Sequence, residues 1–409
     1  MARTHSLDNL RTFLTVLVIF HHASIPYGGL GSWPYKPYSW SPSAPSGLSS
    51  FFLAVFNVTN QTFFMALFFL ISGYFSAISA SKRPRGIFLK EKAKRLGVPC
   101  MMYSILGPGV VEAIIACVRD GGPINTVERV VKRVGRVRGA RGPVWYCGVL
   151  FVFDAVFALT FYPTAAQKDS EEKERDRQVK EGRPQKSHLS DRVIFAGLAF
   201  SVLASFLLRL RWPIGTTFTP LGVEMGFLPQ YVVYYATGIY AQRTLKTELQ
   251  RLVPRKSIRI PRTLIALEIM RAVLYITLNA GFYFAILKPW THETLDRARG
   301  GWNPIALWYG IFNEALGFVL CVPLLRLFSE KEWAKRKWAV GRVDLARWNY
   351  AAFLVHAPVV VGLQCMMDRW AIPGMTKSAI VGSLGCVGSW AVGFGLGRGL
   401  ERMGVRGYI

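Results

Sequence analysis

Long apolar segments recur along almost the whole chain, separated by shorter polar stretches. Most contain about 17–25 residues, the length at which an α-helix crosses a hydrocarbon core of about 30 Å. Such a pattern predicts an all-α, polytopic integral membrane protein with about ten transmembrane helices in one bundle and a single domain over 1–409. The candidate spans are 12–29, 63–80, 98–117, 144–163, 193–211, 227–242, 263–287, 303–327, 348–367 and 377–397.

Composition and charge distribution support a membrane location. Hydrophobic residues make up 51% of the 409 residues, and the formal net charge is +26. With a cytosolic N-terminus, the cytosolic segments contain about 33 Lys and Arg, against about 13 in the opposite loops. This asymmetry follows the positive-inside rule. It predicts that both termini are cytosolic and that the positive charge does not serve to bind nucleic acid. The exception to the asymmetry is the predicted outer loop 118–143, which carries seven basic residues.

Two further features bear on cofactors and organisation. The stretch 164–192 mixes acidic and basic side chains densely, which predicts a charged, solvated cytosolic insert and not a site. The six cysteines are scattered through apolar segments without CxxC pairing or metal-ligand spacing. The sequence therefore implies no metal and no redox cofactor.

The first apolar segment contains two polar side chains on one helix face. Arg11 and His22 are eleven residues apart, so a helix places them about 16 Å apart along its axis. Ionisable groups at membrane depth are costly and usually mark a functional path. His22 is a candidate general base or acyl-accepting nucleophile, or else a packed histidine. Arg11 is a candidate phosphate ligand, or else a flanking charge that sets topology.

A second polar block follows the segment that ends in Ser72-Gly73-Tyr74 and precedes Pro99. This basic turn suits the 3′-phosphate and pyrophosphate of coenzyme A. Anionic lipid and a pure topology signal are equally compatible with it, and both alternatives stay open. Its cations are Lys82, Arg83, Arg85, Lys90, Lys92, Lys94 and Arg95.

The R-x10-H spacing of Arg11 and His22, together with the block at 62–104, resembles the acyltransferase 3 family of acyl-CoA-dependent membrane enzymes. The stretch 22–29 is most similar to the family's glucan-biosynthesis C branch. The resemblance implies that His22 and Arg11 are catalytic. It also implies acyl-CoA-binding residues, namely Arg95, Arg83 and Lys94. His356, in a stretch that resembles a late family element, either lines the acceptor path or is structural.

The resemblance implies transfer of an acyl group from acyl-CoA to a hydroxyl of a carbohydrate or another hydroxylated acceptor, such as a natural product. Acetyl-CoA is the favoured co-substrate and succinyl-CoA its main rival. The expected partners are the lipid bilayer, acyl-CoA and the acceptor. The alternative is a polytopic transporter or proton-coupled carrier, which also uses intramembrane histidines. The two motifs together favour the enzyme, because a transporter has no evident need for them.

Overall fold

In a computed structural model, the chain is described at 5–45, 47–119, 139–164, 189–245, 292–341 and 343–405, and at the single positions 128, 131, 249 and 252. These parts form helices and one short antiparallel strand pair, β1 (Ala339–Val340) with β2 (Val343–Asp344). The helices are α1 (His5–Ser24), α2 (Gly47–Lys82), α3 (Arg85–Lys92), α4 (Val98–Val118), α5 (Trp145–Thr160), α6 (Asp191–Arg211), α7 (Leu228–Arg243), α8 (His292–Arg299), α9 (Pro304–Glu330), α10 (Glu332–Lys335), α11 (Leu345–Met366) and α12 (Gly374–Arg402).

Seven of the described segments are long and apolar enough to cross a membrane. They are Ser49–Lys82, Arg85–Val118, Gly142–Thr160, Asp191–Arg211, Pro304–Glu330, Leu345–Met366 and Gly374–Arg402. The prediction of a helical, multi-pass membrane protein is therefore confirmed, whereas the count of about ten spans is not.

The three remaining candidate spans are not among these seven segments, each for a separate reason. Helix α1 has 20 residues, but its polar side chains lower its hydropathy. Helix α7 has only 16 residues, fewer than the roughly 20 that cross a bilayer without distortion. The candidate at 263–287 lies outside the described residues, as does most of the charged insert at 164–192.

Helix α1 lies inside the bundle, in contact with α2, α9, α11 and α12. Its apolar face is fully buried, because the side chains of Leu10, Leu14 and Ile19 are not exposed. Asn9 fixes its first turns, because its Nδ2 donates to the carbonyls of Ala334 at 2.7 Å and Arg336 at 2.6 Å. The helix that carries both motif residues is therefore held in place by the whole bundle.

Helices α2 and α7 approach each other closely at two glycines. A Cβ atom on Gly73 would lie 2.1 Å from the carbonyl oxygen of Tyr235, and one on Gly238 would lie 2.1 Å from that of Leu70. Small residues permit this backbone proximity in membrane bundles. The Ser72-Gly73-Tyr74 motif therefore includes a packing position at its centre.

A buried ion pair joins the basic turn to α5. The Nζ of Lys92 lies 2.8 Å from Oδ2 of Asp154, whose Oδ1 accepts a hydrogen bond from the Tyr235 hydroxyl at 2.7 Å. Lys92 also donates to Oγ of Ser76 at 2.7 Å. A buried charge is tolerated when it is paired in this way. One of the seven cations of the basic turn thus has a structural role.

Candidate functional site

His22 forms a hydrogen-bonded pair with His356. The Nδ1 of His22 lies 2.9 Å from Nε2 of His356. The ring planes differ by only 12°, with centroids 5.0 Å apart. With the two nitrogens so close, this geometry is that of an in-plane N–H···N bond rather than face-to-face stacking. We call His22 and His356 the histidine pair.

The tautomers of the histidine pair follow from its hydrogen-bond partners. The Nδ1 of His356 lies 2.6 Å from the carbonyl oxygen of Phe353, which can only accept, so this Nδ1 carries the proton. In a neutral imidazole the other nitrogen then accepts, and it does so from Nδ1–H of His22. This leaves Nε2 of His22 with a free lone pair. In this tautomer, Nε2 of His22 can accept a proton.

Trp33 covers the ring of His22. The two rings are stacked, with centroids 4.8 Å apart and planes 16° apart. The indole N–H of Trp33 donates to Oε1 of Gln364 at 2.7 Å, which fixes the indole against α11. An aromatic face next to an imidazole stabilises a positive charge that forms there. His356 is fully buried, whereas His22 keeps partial exposure.

The loop that carries Trp33 is anchored by Asp368. The hydroxyl of Tyr35 donates to its Oδ1 at 2.6 Å, and Nε of Arg119 lies 3.0 Å from its Oδ2. Burial raises the pKa of Tyr35, so its hydroxyl remains a donor at neutral pH. We call this side of the bundle, which holds Trp33 and Asp368, the tryptophan end.

His21 faces a different environment from His22. Its ring stacks on Phe64, with centroids 5.2 Å apart, and meets the ring of His22 edge-on at 5.6 Å. The side chain is buried, and its Nδ1 has no hydrogen-bond partner. His21 is therefore a packed neighbour of the histidine pair and provides a matched control for it.

At the opposite side of the bundle, Arg11 and Arg95 lie close enough for their charges to repel. The Nε of Arg11 is buried and has no hydrogen-bond partner. Arg95 lies over the ring of Tyr350 at 5.7 Å, and the Tyr350 hydroxyl donates to the Arg95 carbonyl at 2.7 Å. Asp8 also interacts with Arg95, so this region holds two cations and one carboxylate, with one guanidinium nitrogen unpartnered among the described residues. The excess positive charge suits an anion. We call this side the arginine end.

The other predicted acyl-CoA ligands are placed differently. Arg83 forms an ion pair with Glu91 at 2.6 Å and donates to Oγ of Ser79 at 2.9 Å, with about half of its side chain exposed. Lys94 is half-buried and precedes Arg95 in the π-helical turn Ala93–Gly97. The structure thus brings Arg11 and Arg95 together and places Arg83 in a separate surface pair.

Aromatic side chains connect the arginine end to the histidine pair. Tyr146 hydrogen-bonds through its hydroxyl to Oγ of Ser72 at 2.7 Å, and its ring lies 5.6 Å from Phe68 and 5.8 Å from Phe353. Phe353 in turn lies 5.8 Å from the ring of His356. Sequence reasoning did not predict these contacts. They join residues that are far apart in the sequence, so local patterns do not reveal them.

The fold and site together define a multi-pass membrane protein with a base inside its bundle and cations at one end. The chain belongs to the acyltransferase 3 family, because the model of that family's acyltransferase domain matches residues 4–397. The family that the sequence motifs indicated is therefore confirmed.

Curated relatives share a shorter segment with this chain. They include the glucans biosynthesis protein C of Salmonella paratyphi B, Salmonella heidelberg and Salmonella agona, each 32% identical over 99 residues. That segment is 24% of this chain and 23% of each relative. These matches confirm the resemblance to the glucan-biosynthesis C branch. No solved structure matches the chain.

Proposed function

We propose that this protein is an O-acyltransferase that moves an acyl group from acyl-CoA to a hydroxyl group of an acceptor. The observation that carries the proposal is the histidine pair, which leaves Nε2 of His22 as a free base within the bundle. Acetyl is the expected acyl group and succinyl its rival. Family membership favours this reaction over a proton-coupled carrier.

The proposed reaction uses the free nitrogen of His22 twice. The acceptor oxygen attacks the thioester carbonyl carbon while Nε2 of His22 takes the hydroxyl proton. The C–S bond then breaks, the new ester forms, and the proton passes from His22 to the departing sulfur as free coenzyme A. His356 holds the His22 ring by accepting its Nδ1–H, and the face of Trp33 stabilises the transient imidazolium.

We place the phosphates of acyl-CoA at the arginine end. Coenzyme A is strongly acidic and does not cross a bilayer unaided, so its site requires fixed cations on the side from which it enters. Arg11 and Arg95 supply two, and Arg11 lies about 16 Å along α1 from His22. The narrow pantetheine arm then runs along Tyr146 and Phe353 towards the histidine pair. The positive-inside asymmetry supports a cytosolic arginine end and cytosolic termini.

We place the acceptor at the tryptophan end, which is the side of His22 opposite to the donor. The relatives carry the name glucans biosynthesis protein C, and this supports a carbohydrate acceptor. A hydroxylated natural product remains the second acceptor class, because the reaction requires only an accessible hydroxyl group.

The proposed function is tested with purified full-length protein in detergent. Acetyl-CoA or succinyl-CoA labelled in the acyl group is incubated with a glucose oligosaccharide or a hydroxylated polyketide, and free thiol and acceptor label are measured. We expect thiol release and acceptor labelling in equal amounts, both dependent on His22. Protein that retains its fold but releases no thiol from either donor with any acceptor would contradict the proposal.

A further inference from the structure

A second polar cluster lies inside the bundle, where α6, α7 and α9 meet. Glu314 of α9 is 2% exposed, and next to its carboxyl group lie Asn313, Ser201 of α6 and Gln230 of α7. All four side chains are at least 97% buried. Buried polar groups at membrane depth are costly and usually functional. We call these four residues the Glu314 cluster.

Several side-chain oxygens of the Glu314 cluster have no hydrogen-bond partner among the described residues. Asn313 donates through Nδ2 to Oε1 of Glu314 at 3.1 Å, and Gln230 donates through Nε2 to the carbonyl of Thr62 at 3.0 Å. Each bond uses one of the two N–H groups of its amide and orients the amide oxygen. The oxygens without a partner in the described part of the chain are Asn313 Oδ1, Gln230 Oε1, Glu314 Oε2 and Ser201 Oγ.

Within the part of the chain that the structure describes, Glu314 has no ion-pair partner. Arg209 attracts the Glu314 carboxyl group at longer range. Its guanidinium, however, donates to the backbone carbonyls of Ser205 at 3.3 Å and Ala306 at 2.9 Å. An ionised carboxylate without a bound cation is strongly disfavoured in an apolar interior. No residue that the structure describes forms an ion pair with Glu314, and a bound cation would supply that positive charge.

The other described titratable groups around Glu314 do not supply that charge. The side chains that interact with it electrostatically, apart from Arg209, are neutral hydroxyl and thiol groups on α7 and α9. They are Tyr231, Tyr234, Tyr309 and Cys321. None of them carries a proton that it gives up readily.

We propose that Glu314, Ser201, Gln230 and Asn313 form a buried binding site for one monovalent cation, either a proton or an alkali ion. The unpartnered atoms are all oxygens, the ligand type that hard cations prefer. One carboxylate balances one positive charge, so a divalent ion would leave an excess charge in the bundle. This proposal goes beyond the proposed acyl transfer and does not rest on it.

The test measures the melting temperature of the full-length protein in detergent. Wild type and Glu314→Gln are compared in sodium, potassium and choline chloride at equal ionic strength and at several pH values. Glu224→Gln is the matched control, because Glu224 is a half-buried carboxylate that accepts from the Gly215 amide outside this cluster. A ligand that binds only the folded state raises its melting temperature.

Two results support the site and identify its occupant. If an alkali ion binds, sodium or potassium raises the melting temperature above that in choline in wild type and Glu224→Gln, but not in Glu314→Gln. If a proton binds, the salts act alike. Stability then falls as pH rises, and falls less in Glu314→Gln than in Glu224→Gln or wild type. Infrared spectra also show the C=O stretch of a protonated carboxyl group that Glu314→Gln lacks.

Two findings together overturn the proposal. The first is that the alkali ion and the pH affect the stability of wild type and Glu314→Gln equally. The second is that the infrared signal of a protonated carboxyl group is the same in both proteins. Ser201→Ala keeps the carboxylate and provides a second test if Glu314→Gln does not fold. We expect Ser201→Ala to weaken the response to the bound cation, because it removes one of the four oxygens.

Discussion

Replacing His22 with alanine is expected to lower kcat for acyl transfer by about 10²–10⁴-fold, the usual contribution of a general acid–base group. The variant loses the nitrogen that takes the proton from the acceptor hydroxyl and returns it to the leaving sulfur. The change is measured as the initial rate of label transfer from acyl-CoA to the acceptor. Normal membrane insertion and an unchanged melting temperature show that the loss is chemical.

His21→Ala is the matched control for this prediction. It removes the same chemical group one residue earlier, from a ring that packs on Phe64. We expect its kcat to stay within a few-fold of wild type, although its stability decreases because a buried side chain is lost. Near-normal turnover in His22→Ala, or equal losses in the two variants, would remove His22 from the mechanism.

Replacing Arg11 or Arg95 with alanine is expected to raise the KM for acyl-CoA by roughly tenfold or more. Each arginine supplies charge-assisted hydrogen bonds to phosphate, and such bonds contribute about 1.5–3 kcal/mol. Lysine at either position should restore only part of the affinity, because a single ammonium does not reproduce a bidentate guanidinium. KM is measured from thiol release at a saturating acceptor concentration.

Arg83→Ala provides the comparison, since Arg83 is engaged with Glu91 and Ser79 at the surface. We expect a smaller change in KM for this variant than for Arg11→Ala or Arg95→Ala. Added salt should also raise the wild-type KM by screening exposed charge at the arginine end. If neither arginine variant changes KM and salt has no effect, the cations serve topology alone and coenzyme A binds elsewhere.

Much of the fold could be predicted because membrane helices leave a strong local signal. Apolar segments of sufficient length mark most of the helices, and the eleven-residue spacing of Arg11 and His22 is a property of one helix. The number of membrane spans was harder to predict from the sequence. The polar residues that give α1 its chemistry also lower its hydropathy, and α7 is shorter than a standard span.

The histidine pair could not be predicted because its members are 334 residues apart in sequence. His356 was visible only as a histidine near a proline, with a structural role as plausible as a functional one. The stacking of Trp33 on His22 depends in the same way on a bond to Gln364, which is 331 residues away. Local patterns identify the polar residues of a membrane helix, but tertiary packing decides which of them meet.

The Glu314 cluster shows the same limit. A lone carboxylate within an apolar segment is visible in the sequence at Glu314. Its neighbours Ser201 and Gln230 are unremarkable residues of two other helices. Only the packed bundle shows that their oxygens converge and lack partners.

A double-mutant cycle on His22 and His356 tests the central claim most directly. The label-transfer rate is measured for His22→Ala, His356→Phe and the double variant, together with melting temperatures that show all three are folded. If His356 acts only by positioning His22, the double variant is no slower than His22→Ala alone, since residues that act as one unit are not additive. If the two losses in rate multiply instead, the histidines act independently. The proposed chain of hydrogen bonds from Phe353 through His356 to His22 is then wrong.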